Sequence, residues 1–506
     1  MPALAVPAPA PMLVTPAPYE VSFGRIAGRV SPEARMLLVS VDGRVVAKRD
    51  LVRRSTFDFH VELPQRDLRL TVTAVYGSGR RRATSVGPIV GLPRSAEPRG
   101  PPRRSVEDAQ LAREIRALAA RFPGTCAIFV QDLRTGAGAA WNARAEFPAA
   151  STLKVGIAIE ILRALRGRPP AGSRLDRLLR KAIVPSDDKA ANDLLIWLGG
   201  STSGGSARVN ATFRALGLTD TEMYGGYIVP SGRIPLRADS QPRFVGKRTS
   251  AWDFARLLRF LHQAAEGSGK LARLGGVVPG EAKYLLYLLA HSRPGYLERD
   301  LGGTGVTVLN KPGWITRARH DGGLAFWRGG SFVAVVLTYS ARGVGVSSEV
   351  LAGRVALAAF ARFSRGRAVA SYAGSVARRP SVRERERILD RIRELCLSLP
   401  ESSERLSHGH PTFFVRGKRS FAMVLDDHHG DGRFALWCAA EDGMQQMLTE
   451  ADPARFFRPP YVGHRGWLGV RLDRGLFWDE LAGLLEDAYA EVAPAKLVED
   501  ARRRQA

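Results

Sequence analysis

Two stretches divide the chain before any local pattern is read. "GLPRSAEPRGPPRRS" (Gly91 to Ser105) and "SRGRAVASYAGSVARRPS" (Ser364 to Ser381) are rich in Pro, Arg and small residues and carry no apolar periodicity. Such a segment buries too little apolar surface to offset the entropy of ordering it, so each is expected to be a linker. The 506 residues then fall into three units, as their length also suggests. The expected boundaries are 19–93 for the first unit, 94–105 for a linker, 106–363 for the second unit, 364–382 for another linker and 383–500 for the third.

The first unit alternates. "VSFGRIAGRV", "TFDFHVEL" and "LRLTVTAVYG" carry β-branched and aromatic residues at period two, and Asp42-Gly43 stands where a hairpin needs positive φ. An all-β sandwich similar to immunoglobulin-like modules is expected. In the second unit, "VEDAQLAREIRALAARF" has helical spacing, followed by a hairpin through Thr135-Gly136. A second hairpin through Gly329-Gly330 and a closing helix, "SSEVLAGRVALAAFARF", lie at the far end. Strands supplied from both ends with helices between them imply an antiparallel sheet covered by helices. The third unit has terminal helices around a strand-rich middle.

Composition narrows the function classes. Lys+Arg 75 against Asp+Glu 49 leaves a net charge of +26, a field that attracts nucleic acid or anionic polymers but is spread along the whole chain. The three cysteines, Cys126, Cys396 and Cys438, form neither a CxxC pair nor a zinc pattern, so no disulfide framework, metal or cofactor is expected. No stretch approaches the ~20 apolar residues of a transmembrane segment. Met1 to Ala17 is apolar but broken by prolines and lacks a basic residue before a hydrophobic run, a poor signal peptide that leaves localisation open.

The chemistry-bearing stretch is "FPAASTLKVGIAIEILRAL". Ser151 precedes an apolar run of helical period, and Lys154 stands at i+3, on the same face. A serine beside an amine at a helix N-terminus is an arrangement for a nucleophile, although a serine cap followed by a surface lysine is the commoner reason for the pattern. Two later segments follow in order. Ser186-Asp187-Asp188 opens "SDDKAANDLLIWLGG", and Lys311-Pro312-Gly313 lies in "VTVLNKPGWITRARHDGG".

SxxK, SDN and KTG in that order are the signature of class A β-lactamases and penicillin-binding proteins, and residues 106–363 resemble that family. "DLRTGAGAAWNARAEFPAASTLK" and "RARHDGGLAFW" extend the similarity beyond the triplets. The resemblance implies Ser151 as nucleophile, Lys154 as proton acceptor with its pKa depressed by neighbouring cations, and Ser186 as proton shuttle. It implies substrate contacts from Asp188, Lys311, Gly313 and Trp314, with the backbone N–H groups of Ser151 and Trp314 forming the oxyanion hole. The substrate implied is a β-lactam or a peptidoglycan-like amide or ester, and no metal or cofactor is required.

Three departures separate the chain from the pattern. Asp188 replaces the usual Asn, exchanging a group that donates for one that does not, and as an anion it favours a protonated Lys154. Pro312 removes a hydroxyl, for which Arg317 or Arg319 is a candidate substitute. The loop that carries the deacylating Glu in class A enzymes has no Glu here; its acids are Asp239 and Asp253, the latter expected to cap a helix or face solvent. Slow deacylation follows, with a catalytically idle binding protein of the same fold as the alternative.

"RILDRIRELCLSLPESSERLSHGHPTFFVRGKRSFAMVLDD", "ADPARFFRPPYVGHRGWLGVRLD" and "LAGLLEDAYAEVAPAKL" resemble MmcQ/YjbR-like domains, small α+β units of CyaY-like fold. That resemblance implies nucleic acid as a candidate partner. Arg416, Lys418 and Arg419 with Phe413 and Phe414 would form a basic aromatic surface, unless the aromatics turn into the core. His408, His410, His428, His429 and His464 match no ligand spacing.

Overall fold

Among the described residues the first strand starts at Met12, ahead of the expected boundary at 19. The computed structural model describes residues 8–51, 55–77, 79–98, 103–227, 247–293, 295–341, 343–364, 380–441, 443–451, 453–474 and 478–505. Met12–Thr15 pairs antiparallel with Arg25–Arg29. Pro9 and Pro11, just before it, lack N–H groups but keep their carbonyls: Pro9 O accepts from Tyr76 Oη (2.6 Å) and Pro11 O from Thr84 Oγ1 (2.5 Å).

The described strands up to Gly91 form a three-stranded and a five-stranded sheet that share one core, with Ile26 and Phe57 of the first packed on Leu37, Leu70 and Val72 of the second. Asp67–Tyr76 alternates exposed and buried positions along its length, as the period-two pattern requires. Asp42 and Gly43 adopt φ of 46° and 85° in the turn between Ala34–Val41 and Arg44–Asp50. The stretch after Gly91 is not a loose tether where it is described. Ala96 is buried, Ser95 Oγ donates to Arg328 O (2.7 Å), and Val21, Phe23 and Leu92 enter the central core. Two apolar residues, Leu92 and Ala96, anchor a segment that composition marked as linker.

The central sheet runs in the order Thr307–Asn310, Ala318–Trp327, Gly330–Tyr339, Thr125–Asp132, Ala137–Trp141, Val106–Glu107, with Gly313–Ile315 paired to the outer side of Ala318–Trp327. It is antiparallel except for the short parallel pairing of Ala137–Trp141 with Val106–Glu107. Both faces are covered. Ile128 and Val130 pack with Leu111, Ile115 and Val355 under helices Ala109–Arg121 and Val346–Phe363. Ala127 and Phe129 pack on the other side with Ile157, Leu258 and Leu285, from helices Lys154–Leu165, Ala251–Ala264 and Pro279–Ala290. Strands buried on both faces carry near-continuous apolar runs, which is how "CAIFV" and "FVAVVL" read.

The C-terminal region is sheet-rich: six antiparallel strands in the order Ser402–Ser407, His410–Val415, Arg419–Asp426, Phe434–Cys438, Leu468–Arg471, Phe456–Phe457, with helices Val382–Leu397 and Trp478–Val492 packed on one face. Helix Val346–Phe363 belongs to two cores. Its Val355 and Ala359 pack in the central unit, whereas Val346 and Val350 are buried with Phe421, Leu481 and Leu485 of the C-terminal region. The Val346 N–H donates to Asp487 Oδ2 (2.9 Å), so the C-terminal region supplies the cap of a central helix. All three cysteines are free and buried, and burial pushes the thiols of Cys126 and Cys438 up to about 12. Among the described residues no helix is long and apolar enough to cross a membrane.

Two buried histidines set a pH limit on this fold. His262 Nε2 lies 3.1 Å from Ala96 O, and burial depresses the ring to about 4 from 6.5. His320 is likewise depressed to about 4 by burial. The unfolded chain binds these protons first, so stability is lost as pH falls from 6.5 towards 4, by roughly 3 kcal/mol for each ring. Buried Asp321 acts with the opposite sign: burial raises it from 3.8 to about 6, and the native state regains stability as this group protonates through that window. Two rings against one carboxyl leave a net loss. The urea midpoint is expected to fall from about pH 7 to about pH 4, and His262→Gln to flatten that fall; a midpoint that rises or stays level would contradict the assignment.

Candidate active site

Ser151 lies in the 3-10 turn Ala150–Leu153 that leads into helix Lys154–Leu165. It is not a cap. The residue ahead of the turn is Ala149, and no side chain caps it. Ala150 holds φ at 47° and Ser186 at 62°, a conformation that non-glycine residues adopt only when their surroundings impose it. Ser186 opens the SDD segment, and Ala150 stands immediately before the candidate nucleophile.

Lys154 is 1% exposed, which excludes a solvated surface charge. Its ammonium donates to Ser186 O, to Ser186 Oγ (3.2 Å) and to Asp188 Oδ1 (2.6 Å). Those three acceptors use all three of its donors, and among the described residues no hydrogen bond joins it to Ser151 Oγ. The i,i+3 spacing set the face correctly, but the amine has turned toward the SDD segment. Burial, the largest influence, lowers the Lys154 pKa, while Asp188 and Asp187 raise it. The depression therefore comes from desolvation, not from neighbouring cations as the family resemblance implied. Lys311, fully buried, donates to Ser186 Oγ (2.9 Å) and Pro312 O (3.1 Å), and burial followed by the charge of Lys154 drives it well below the usual lysine range.

Ser186 Oγ thus bridges the two lysines. Asp187 caps helix Asp188–Gly199 through Ala190 N (2.6 Å), which leaves Asp188 in the first turn with its carboxylate against Lys154. The strand Gly313–Ile315 closes the other side. A Cβ at Gly313 would stand 2.9 Å from Ser151 N and 3.1 Å from Thr152 N, so only glycine permits this approach. Trp314, next along, is half-exposed. Behind the turn, His320 Nε2 donates to Pro148 O (2.6 Å) while its Nδ1 accepts from Thr338 N (3.1 Å), and Ala149 N donates to Lys247 O (2.9 Å). The approach to Ser151 is therefore held at two consecutive residues.

Three members of the site were not read from the sequence. Lys247 lies with its Nζ 5.0 Å from the centroid of the Tyr227 ring, and Lys154 Nζ lies 4.7 Å from the same centroid. Asn192, fully buried and one helical turn beyond Asp188, holds Tyr227 by accepting from its N–H (2.7 Å) and donating to its C=O (3.0 Å). Burial lowers Lys247, against the opposing pull of Asp188. Asn192 falls in "SDDKAAND", where its spacing from Asp188 was a usable signal; Lys247 and Tyr227 had none.

Other expectations change. Arg319 donates to Glu349 Oε1 (2.5 Å), so it is committed elsewhere, and Arg317 is exposed. Asp253 does not face solvent. It is fully buried and accepts from Asp220 N (2.7 Å) and Thr221 Oγ1 (3.2 Å). Asp239 lies outside the described residues. In the C-terminal region Phe413 is fully buried and Phe414 nearly so, Arg416 pairs with Glu401, and Arg419 reaches Val492 O. The aromatic half of the expected nucleic-acid surface is therefore core. His410 Nε2 and His428 Nδ1 lie 3.2 Å apart at one end of that sheet.

Two buried lysines bridged by Ser186 thus meet beside the Ser151 turn, between a helical layer and an antiparallel sheet. A model of the beta-lactamase enzyme family matches residues 110–168 and 167–363, and the chain belongs to that family. A YjbR model matches residues 397–491. Similar solved structures include PBP-A (21% identity, TM-score 0.42, 52% of this chain and 98% of that one) and a β-lactamase from Streptosporangium roseum (21%, 0.41, 50% and 99%). Another is the β-lactamase from Sphaerobacter thermophilus (20%, 0.39, 50% and 97%). No curated relative matches the chain.

Proposed function

We propose that the chain is a serine hydrolase that acylates Ser151 with a β-lactam or a related anionic amide or ester and releases the acyl group slowly. The supporting observation is the meeting of Lys154 and Lys311 on Ser186 Oγ beside the Ser151 turn. Ser151 Oγ bonds to the substrate carbonyl carbon, and its proton passes to neutral Lys154. The C–N or C–O bond then breaks, and the proton reaches the leaving atom through Ser186. The N–H groups of Ser151 and Trp314 are the oxyanion donors in this reading, and Lys247 with Lys311 supplies the positive field for a substrate carboxylate. Water later cleaves the ester, unaided by a Glu in the 224–247 stretch, which has none.

A second reading has its own observation. Lys154 spends every donor on Ser186 and Asp188, the state expected of a fold kept for binding. Intact-mass analysis after incubation with benzylpenicillin separates the two. The enzyme reading expects one acyl adduct, lost in Ser151→Ala, and a product burst matching the enzyme concentration before a slow phase. An adduct that survives Ser151→Ala, or none from several β-lactams and activated esters, favours the idle fold. Residues 19–93 and 383–500 fit immunoglobulin-like and CyaY-like accessory modules, a reading supported by the two sheets around one core in the former and the YjbR match in the latter.

A further inference from the structure

Trp314 stands on a strand that the sheet holds from one side. Among the described strands Gly313–Ile315 pairs only with the start of Ala318–Trp327, with Gly313 opposite His320, Trp314 opposite Arg319 and Ile315 opposite Ala318. An edge strand leaves one row of its backbone groups unpaired by the sheet, and here the ladder is 3 residues long. The place of the Trp314 backbone therefore depends on what fixes the turn after it and the residue opposite it.

Those ties converge on one stretch, residues 340–349, which leads into helix Val346–Phe363. In the turn, Thr316 O accepts from Val344 N (3.4 Å) and Arg317 O from Ser340 N (3.0 Å). Opposite Trp314, Arg319 Nη1 donates to Glu349 Oε1 (2.5 Å), in the first turn of the helix. Thr338 Oγ1 donates to Arg319 O and lies 2.9 Å from Ser348 Oγ, a further link to the same turn.

The C-terminal region grips this stretch from the far side. Asp487 Oδ2 accepts from Val346 N (2.9 Å), and a Cβ at Gly345 would stand 2.1 Å from the same oxygen, so the carboxylate rests on the residue that opens the helix. Val346 and Val350 are buried in the C-terminal core, which fixes the helix start against the region that supplies Asp487. Burial opposes the Arg319 charge, but Glu349, Tyr296, Asp487 and Glu486 together outweigh it. Two acids of the C-terminal region thus act on the guanidinium that stands opposite Trp314, and the contacts form an unbroken series from Asp487 to the Trp314 strand.

We propose that the C-terminal region is a positioning element for the hydrolytic site: Asp487, acting through Val346, Glu349 and Arg319, sets where the Trp314 N–H stands. This rests on the reading of Trp314 as an oxyanion donor. Such a donor works only within about 2.7 to 3.1 Å of the place where the oxyanion forms, and a shift of about 1 Å costs up to about a hundredfold in rate. Asp487 itself touches no substrate, so its loss slows the bond-forming step and leaves substrate capture alone. The test uses the full chain and two readouts, one of which needs no reaction. Deuterium uptake by a peptide spanning 311–321 should rise in Asp487→Ala and, to a smaller extent, in Glu349→Gln, which leaves the contact between the two cores untouched; uptake over Thr125–Asp132 should not change. With benzylpenicillin, the saturating acylation rate should fall about tenfold in Asp487→Ala while the half-saturating concentration stays within about twofold. Asp487→Asn keeps an oxygen for the Val346 N–H and should restore most of that rate. A wild-type chain that is never acylated removes the hydrolase reading, and uptake then decides the positioning by itself. Uptake at 311–321 that matches the wild type in both variants overturns the proposal, as does uptake that rises equally over Thr125–Asp132 in both, the mark of general loosening. A penicillin-reactive chain whose saturating rate is the same in Asp487→Ala overturns it as well.

Discussion

Lys154→Ala is expected to slow acylation of Ser151 by about 10² to 10⁴, the usual worth of a positioned general base, while Asp188→Asn should accelerate it. The two outcomes follow from one geometry. Lys154 accepts a proton only when neutral. Burial pushes it that way, whereas the Asp188 carboxylate, 2.6 Å from its Nζ, holds the proton on. An amide at position 188 keeps a hydrogen-bonding group there but removes the anion, so Lys154 loses its proton at lower pH. Measured as kcat/KM or as the acylation rate against pH, the acid limb should shift to lower pH in Asp188→Asn and the neutral-pH rate should rise severalfold. A limb that stays where it was would show that another group titrates, and an acylation rate unchanged in Lys154→Ala would remove Lys154 from the mechanism.

Ending the chain after Ser364 should leave the central unit close to unfolding. The cut uncovers Val346 and Val350, each worth about 1.5 to 3 kcal/mol when buried, and strips the Asp487 carboxylate from the Val346 N–H, a loss of about 0.5 to 2 kcal/mol. Set against a typical total of about 5 to 15 kcal/mol, the change is large. The fragment should melt far below the full chain and bind a hydrophobic dye. Val346→Ser with Val350→Ser in the full chain should move the same way by a smaller amount. A fragment that melts with the full chain would mean that the C-terminal region contributes nothing to its neighbour.

The parts of this molecule that were legible share a property: they are local. Period-two alternation marked Asp67–Tyr76, the Asp42-Gly43 turn announced its own φ, and the SxxK, SDD and KPG motifs each lie within three or four consecutive residues that the fold then brings together. What escaped is long-range. Lys247 is one of 75 basic residues, and only the pairing of Phe147–Pro148 with Arg248–Thr249 carries it to the nucleophile's side. The sharing of one helix between two cores is equally invisible, because "SSEVLAGRVALAAF" is apolar on more than one face and a single sequence does not say which partner covers which. The direction in which the Lys154 amine points was beyond reach for the same reason; spacing assigns a face, and the acceptors from residues 186 and 188 decide the rest.

The three buried cysteines give the folded chain a chemical silence. A thiol held out of water with its pKa near 12 has almost no thiolate at neutral pH, so alkylating reagents should pass over the native protein. A cysteine introduced on the surface, for example beside the cleft at Ile315, would then be the sole reactive handle for a dye or spin label, with no native thiol to remove first. The native thiols would serve as a built-in clock of opening, because Cys126 packs in the core that holds Val355, whereas Cys396 and Cys438 pack in the core that holds Val346. One helix spans both, and modification of all three on a single time course would be the signature of two domains that come apart only together.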